Sequence, residues 1–534
     1  MNILLVNIPN TGARSGFAGL FLPMGMAQIS AVLARNGHNC DCIDLHTEQI
    51  LAGKELDPIL TVIGRVRLTE YDIIAFGGCF LSFAVLKELS TRIAAMHPAA
   101  IQIIGGNLAS TIPVIILQNT PISCVVLQEG EQTVVELVEA LQNRRDLAAV
   151  AGITFRDCNG AIITTGAREK IEQLDSLPFP DRSKWGFDTI RKAFPFGSPG
   201  RYSAILFASR GCPFSCIFCN PLSGKKVRSR SPEHIVAEMK LLKERWNICY
   251  FRFFDEVFIG DKAKIRELCH LMLRERLAVF WWCQTQIRLV DRELLTLMKE
   301  AGCIEIGYGI ESGNNMILAE MNKGITKEMA REVIEMTRQT GIRPSLSVIA
   351  GSPAETVETL DETTAFICSL NHINWTQIPQ FGFLVPIPGT RYYETARERG
   401  VIRDEEQYLC HGMTNRDKYS NPLNLTTIPD QSLARHVADC NARIRRNFYR
   451  RHPLKFLLSR VGLDHLRLDL LFRHFSLSQL RPLAEAILYA MIGKRDARLG
   501  RTIGEFIYRR PPCQTSELGP KPSERVTPPI LSPK

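Results

Sequence analysis

Short aliphatic and β-branched runs alternate with amphipathic segments along most of this chain, and that alternation limits the folds open to it. NILLVNI at 2–8 has β character. Past a Gly/Pro-containing loop comes MGMAQISAVLARNG at 24–37, where Met26, Ile29, Val32 and Leu33 fall at helical spacing and Gly37 suits the C-terminal cap. CDCIDL (40–45), YDIIAFGG (71–78), IQIIGG (101–106) and SCVVLQEGE (123–131) read as further strands, with helices over 84–96 and in QTVVELVEALQ. Strands separated by helices need crossover connections, which makes a parallel sheet covered on both faces. Such sheets bind ligands beyond their strands' carboxyl ends, where this chain has Gly77, Gly78, Gly105, Gly106 and Gly130.

LDSLPFPDRSKW at 174–185, with prolines that disfavour helix, lies in a linker expected over 146–200. A second series follows: AILFAS (204–209), YFRFFD (250–255), VFWWCQ (279–284), IEIGYGI (304–310), LSVIAG (346–351) and IPQFGFLV (378–385) read as strands, with helices between. In SPEHIVAEMKLLKER (231–245), Ser231 is the expected N-cap and Pro232 the first helical residue. Six strands with crossovers predict a partial (β/α)6 barrel over 201–400. Beyond 400 the pattern turns helical and basic to 510, and the Pro/Ser-rich residues 511–534 are expected to be disordered.

The barrel's first strand runs into SRGCPFSCIFCNPL at 209–222. Cys212, Cys216 and Cys219 therefore stand at the carboxyl end of a barrel strand, where this architecture places chemistry. Three thiolates can hold three irons of a 4Fe–4S cubane, leaving the fourth iron open. The alternatives are a zinc site that borrows a distant fourth ligand, or unmetallated cysteines. Most of the other cysteines among the 16, such as Cys124, Cys249, Cys283 and Cys303, sit singly in apolar runs and read as small buried hydrophobes.

The Cys-x3-Cys-x-aromatic-Cys spacing resembles the radical S-adenosylmethionine (SAM) superfamily. RSRSPEHIVAEM, FFDEVF, WCQTQIRLVDRELLTLMKEAGC, IGYGIESGN, NKGIT and VIAGSPAET follow in the order of its cobalamin-domain branch. LPMGMAQISAVLARNGH, IIGGNLAS and LQEGEQTVVELVEAL belong with that branch too, and the likeness spans about residues 1–400. The resemblance implies a flavodoxin-like (Rossmann-type) cobalamin-binding domain over 1–145, stacked on the barrel. It implies a cluster on Cys212, Cys216 and Cys219, with SAM chelating the open iron and cleaving to a 5′-deoxyadenosyl radical. Phe218, Glu311, Ser312 and Gly351 are the positions matched to SAM contacts, while Asp255 and Glu256 match an acidic pair of open role. One departure stands out. Where the family shows Cys-Gln-Thr-Arg-Val-Asp, this chain has Cys283-Gln284-Thr285-Gln286-Ile287-Arg288.

Cobalamin domains of this type often carry Asp-x-His-x-x-Gly after the first strand. Here the aligned residues run from Asn7 to Gly12, and the glycine remains without the histidine. The resemblance still implies cobalamin, with Gly12, Gly105, Gly106, Asn107, Glu129 and Gly130 around its nucleotide tail; a domain that has kept the fold and lost the cofactor is the alternative. The implied reaction is methylation of an unactivated carbon. Oxidative cyclisation or hydroxylation of a tetrapyrrole or lipid-like substrate is the rival, and a non-catalytic corrinoid-binding protein is a third reading that the cysteine triad opposes.

Charge narrows the partners. The net charge is +10, yet residues 430–534 hold 20 Lys and Arg against 9 Asp and Glu, so the first 429 residues are close to neutral. That distribution opposes nucleic-acid binding by the whole chain. Arg443, Arg445, Arg446, Arg450 and Arg451, with Phe448 and Tyr449, read as a solvated helical cap over the barrel, or as a face for anionic lipid or an acidic substrate. MNILLVNIP lacks signal-peptide character, and a cytoplasmic enzyme is expected, served by an electron donor such as flavodoxin or ferredoxin.

Overall fold

The computed structural model describes residues 1–9, 22–52, 62, 70–78, 82–193, 202–220, 223–412 and 423–460. Gly12, the part of the expected helical and basic region beyond 460, and the tail 511–534 lie outside them.

Five parallel strands begin the chain: β1 (Asn2–Asn7), β2 (Asn39–Asp44), β3 (Ile73–Gly77), β4 (Ile101–Ile104) and β5 (Cys124–Val126). Two more, β6 (Ile153–Arg156) and β7 (Ile162–Thr164), add antiparallel to β5. The sheet order is β2-β1-β3-β4-β5-β6-β7, so the strand order reverses between β1 and β3, as in flavodoxin-like sheets. Every residue of β3 and five of six in β1 are buried, as a sheet covered on both faces requires.

The β6–β7 hairpin changes the sequence-based picture of 146–200 as linker. Its turn is closed by the Asp157 carboxylate, which accepts the amides of Asn159 and Ala161. Further on, residues 178–185 are tied down on both sides. The Trp185 indole donates to Ser30, Gln28 donates to the Pro178 carbonyl, and Lys184 to that of Cys40. Arg182 reaches the other way, donating to the carbonyl of Ile205 and pairing with Glu238 at 2.7 Å.

The second sheet is built from β8 (Tyr202–Leu206), then, after the small ribbon β9 (Ser209–Arg210) and β10 (Arg228–Ser229), from β11 (Ile248–Phe253), β12 (Phe280–Thr285), β13 (Cys303–Glu311), β14 (Arg343–Ala350) and β15 (Phe381–Phe383). Its six strands are all parallel and ordered β15-β14-β13-β12-β11-β8, the expected partial barrel. Ser231 caps the helix Pro232–Trp246 by accepting the amide of His234, as read from the sequence. Cys124, Cys249, Cys283 and Cys303 are buried.

A half-barrel leaves two edge strands, here β8 and β15. The helix Asp430–Arg451 covers β15. Asn441 accepts from the amide of Phe381 and donates to the same residue's carbonyl, standing in for a missing strand. Leu433, Val437, Ile444 and Phe448 of this helix join the core, while Arg445, Arg446, Arg450 and Arg451 face solvent. Among the described residues, no helix is long and apolar enough to cross a membrane.

Two apolar cores each join residues of both domains. One joins Ile3, Leu5 and Val138 to Trp185 and to Leu206 and Phe251 of the barrel; the other joins Val6, Phe76 and Leu108 to Ile317, Met321 and Leu384. On the helix Pro232–Trp246, whose apolar residues belong to the first core, Glu238 is held by Arg182 and by Arg230 at 2.6 Å, with Glu238 and Arg182 1% and 2% exposed. Burial alone would raise the Glu238 pKa, but the two guanidiniums outweigh it and hold it below its ordinary value. Glu238→Ala should leave two guanidiniums without their counterion and cost about 3–5 kcal/mol, read as a lowered denaturation midpoint. A loss under about 1 kcal/mol would show that the pair carries no more than a surface ion pair.

Candidate active site

The cysteine loop begins at Gly211, whose φ of +100° suits glycine; a side chain there would collide with the Lys226 carbonyl. Its entry is fixed from below by Asp255. That fully buried carboxylate accepts the amides of Ala208 (2.9 Å) and Ser209 and the Ser209 hydroxyl (2.7 Å). Burial pushes its pKa up to about 6 in spite of those donors. Glu256, the other half of the acidic pair, is exposed and accepts the amide of Gly211 at 2.7 Å. Sequence left the roles of this pair open. The structure separates them, one holding backbone below the loop and the other facing it.

Cys212 and Cys216 are half-buried and Cys219 is exposed. The surrounding protein, then the neighbouring sulfurs of Cys212 and Cys216 and the Glu256 carboxylate, push the Cys219 thiol up to about 11. Burial and the neighbouring Cys216 sulfur likewise hold the Cys212 thiol above its ordinary value, and a cationic metal centre would reverse that cost.

Around the loop the barrel supplies a lid of specific contacts. Ile217 donates its amide to the Met321 carbonyl, Asn322 donates to the carbonyl of Ser215, and the Lys323 ammonium lies 5.4 Å from the centre of the Phe218 ring. Lys323 also pairs with Glu311 at 3.1 Å, the two side chains 8% and 6% exposed. Burial acts to lower the Lys323 pKa, but Glu311 and the sulfurs of Cys216 and Cys219 outweigh it and hold the ammonium above its ordinary value. Sequence reasoning quoted the segment holding Lys323 and missed its role; a lone lysine in a polar turn carries no signal of burial.

Glu311 ends β13 with φ +72°, a conformation that costs a non-glycine residue roughly 1–3 kcal/mol. A Cβ at Gly309 would collide with its carboxylate, so that glycine makes room for it. One carboxylate oxygen meets Lys323, while the other, Oε2, is buried without a hydrogen-bond partner. Strain and an orphaned acceptor in one side chain mark a place built for a donor from outside the chain. The departure at Gln286 and Arg288 now has a physical account. Gln286 donates to the Lys323 carbonyl and Arg288 to that of Gly324, so both grip the turn that carries the lysine.

The remaining expected SAM positions lie near by. Ser312 is buried, and its hydroxyl is engaged by Thr363 and by the amide of Asn314. Gly351, at φ +102°, has open space where a side chain would project, its nearest neighbour Leu384 being 3.8 Å away. Glu355 accepts the Gly351 amide, and burial, with a smaller contribution from Glu320, pushes its pKa up to about 7.

On the first sheet, Gly105 and Gly106 follow β4, and Asn107 starts the short helix Asn107–Thr111. Gly106 has φ +108°, and a Cβ there would lie 2.7 Å from the Gly78 carbonyl. Gly130 opens the helix Gly130–Gln142. Glu129 departs from the expectation that it faces the cobalamin tail. Its carboxylate is taken by the barrel, by Arg228 (3.0 Å) and Arg210 (3.5 Å), while Glu131 pairs with Arg210 at 2.5 Å. Arg210 and Arg228 are the partners of the β9–β10 ribbon that flanks the cysteine loop. The two guanidiniums outweigh the effect of burial and hold the Glu129 carboxyl below its ordinary range. At the opposite side, Gly389 lies between Asn220 of the cysteine loop and Thr111 of the first domain. The carboxyl ends of β4, β5, β8 and β15 thus converge on one region.

Comparison with known proteins agrees with this geometry. Residues 206–367 match the model of the radical SAM superfamily, and residues 13–138 match that of the B12 binding domain. An uncharacterized methyltransferase of Pyrococcus horikoshii is 28% identical over 75% of this chain and 84% of its own length. The anaerobic magnesium-protoporphyrin IX monomethyl ester cyclase of Rubrivivax gelatinosus is 27% identical over 76% and 72%. Among solved structures, the cobalamin-dependent S-adenosylmethionine radical enzyme OxsB, with aqua-cobalamin and S-adenosylmethionine bound, superposes with a TM-score of 0.64 at 18% identity, covering 95% of this chain and 79% of that one. The chain is an enzyme of the radical SAM superfamily. Within it, the chain belongs to the branch that carries a B12-binding domain ahead of the barrel.

Glu355 provides a test by pH. Its folded pKa of about 7 exceeds the ordinary value of 4.5, so folding takes up a proton between them. Its contribution to stability is full below about pH 4.5 and is lost as pH rises through 7. Glu355→Gln should therefore lose less stability than the wild type between pH 4.5 and 7.5 in parallel denaturation curves. Equal slopes would mean that the carboxyl titrates as if exposed.

Proposed function

We propose that this enzyme methylates an unactivated carbon of a small molecule. The observation that carries the reading is the convergence of the three-cysteine loop with the glycine-ended strands of the B12-binding domain, fastened by Arg210 and Arg228 to Glu129 and Glu131.

The residues present fit the cofactors that the two domains imply. Cys212, Cys216 and Cys219 would hold three irons and leave a fourth free of protein ligands. When bound, the cluster with SAM supplies a 5′-deoxyadenosyl radical for hydrogen abstraction, and cobalamin supplies a methyl group. The protein's own part is placement and shielding. Glu311 Oε2 offers a buried acceptor to an ammonium or a ribose hydroxyl, and Lys323 offers a cation to a carboxylate at the same spot. Phe218, with Ile217, packs against the second core and keeps that side of the loop dry. Gly351 admits a flat group close to backbone; Ser312 acts through its backbone and turn. Gly105, Gly106, Asn107 and Gly130 stand at strand ends on the first domain's side, where a nucleotide tail would lie.

Cyclisation of the kind named for the Rubrivivax relative is the rival reading. Methylation is favoured because the methyltransferase relative is matched over the larger share of its own length. An electron donor of the flavodoxin or ferredoxin class would serve the cluster. The exposed Arg450 and Arg451, beside exposed Leu454 and Phe456, would let the C-terminal helices rest on anionic lipid if the substrate is lipid-like.

Anaerobic reconstitution with iron, sulfide, reductant, SAM and cobalamin tests the assignment. Wild type should release 5′-deoxyadenosine, Cys216→Ala should fall to background, and Glu311→Gln should raise the KM for SAM by about tenfold or more with iron content unchanged. Undiminished 5′-deoxyadenosine from Cys216→Ala would remove the cluster assignment. Methyl-deuterated SAM should leave its label in the product; a product that lacks it while losing hydrogens would point to cyclisation.

A further inference from the structure

A second set of metal-binding side chains lies far along the chain from the cysteine loop, at the seam where the C-terminal helix docks. His436 and Cys440 stand four residues apart on the helix Asp430–Arg451, which puts them on one face. Asp361 comes from the facing crossover helix Val357–Ser369. Among the described residues, this is the one set of three His, Cys, Asp or Glu side chains whose ligand atoms all lie within 4.8 Å of one another.

The individual spacings are close to those of a zinc site. His436 Nε2 lies 3.3 Å from Asp361 Oδ1, and Cys440 Sγ lies 3.9 Å from the same oxygen. Tetrahedral zinc with ordinary bond lengths would set these at about 3.3 and about 3.5 Å. His436 Nε2 is shielded from solvent and makes no hydrogen bond, although it faces the carboxylate. Cys440 is fully buried. One competitor is present: the Arg443 guanidinium pairs with Asp361 Oδ1 at 2.5 Å and lies 3.8 Å from Asp439. Its side chain is half out in solvent, so it can shift to Asp439 or to the other oxygen of Asp361.

We infer that Asp361, His436 and Cys440 form a zinc site, distinct from the cysteine loop, that clips the C-terminal helix to the barrel. Nitrogen, sulfur and carboxylate donors together select a borderline-soft divalent cation, zinc before magnesium or calcium. Water takes the fourth position, reached through the partly exposed rim of Asp361. Binding releases the Cys440 thiol proton to solvent and leaves a zinc–thiolate bond; His436 coordinates as the neutral imidazole.

The test uses the full chain bearing Cys212→Ala, Cys216→Ala and Cys219→Ala, so that no loop thiols compete. After zinc chloride addition and desalting, elemental analysis should find one zinc per chain. Cobalt(II) in its place should give a sulfur-to-metal charge-transfer band. In a chelator competition, His436→Ala and Cys440→Ser should each weaken binding by more than about tenfold. Asp361→Asn, a change at a partly exposed position that spares the core, should weaken it likewise. Arg443→Gln should tighten it, because the competing cation is gone. Hydrogen exchange along 430–451 should slow on zinc addition in the parent and not in Asp361→Asn. Absence of bound zinc, or zinc held equally by the parent and by Asp361→Asn, would overturn the assignment.

Discussion

The interaction on which the site depends is the pairing of Arg228 and Arg210 with Glu129 and Glu131. Each domain could fold around its own parallel sheet, but a catalytic region between them exists only if the carboxyl ends of both sheets are held face to face. Apolar packing supplies much of the adhesion, since both cores run through both domains. Packing alone is tolerant of sliding, whereas a buried guanidinium is not. Arg228 donates to Glu129, to the Ile171 carbonyl at 2.6 Å and to the Ser223 carbonyl at 3.1 Å, so its position is determined from three sides. Breaking one partner of such a set strands the others without water, and that penalty, more than any net attraction, fixes the register.

The position of this clamp matters as much as its strength. Arg210 immediately precedes Gly211, and Gly211 starts the cysteine loop. Glu129 immediately precedes Gly130, where the first domain's helix begins. The charged groups therefore connect the two segments closest to the expected cofactors, one on each side. A shift of either domain is carried directly into the loop. The second acidic residue of the FFDEVF segment works toward the same end, since Glu256 holds the Gly211 amide while Asp255 anchors Ala208 and Ser209.

Much of this was legible in the sequence because periodicity and local spacing report it. Both strand series, the Ser231 cap, the buried single cysteines and the cysteine loop's place after a barrel strand all follow from patterns within a few residues. What the sequence reading missed depends on distant partners. Glu129 looked like a ligand contact because it stands at a strand end beside a glycine; only the fold brings Arg228 to it. Lys323 and Asp361 gave no local signal at all. The β6–β7 hairpin is different, for its signal was present. Asn159-Gly160 stands between ITFR and AIIT, a hairpin turn between β-forming runs, and the prolines further on drew the whole segment toward a linker reading.

The edge of the half-barrel explains why so much chain follows the last strand. A closed barrel hides every strand; an open sheet of six leaves β8 and β15 as edges, and at β15 both unpaired backbone and one flank of the core need cover. The helix Asp430–Arg451 answers both needs, with Asn441 pairing to Phe381 and an apolar face closing the core. Asn371 extends the seal, donating to the Ile444 carbonyl and accepting from the Trp375 indole. The same contacts sort the basic residues. Arg443 is drawn inward by Asp361, whereas Arg445, Arg446, Arg450 and Arg451 are left on the outer face because the inner face is needed for packing. The positive charge of this region is thus first a consequence of how an amphipathic helix seals an edge, and any attraction to an acidic surface acts on what that sealing leaves exposed.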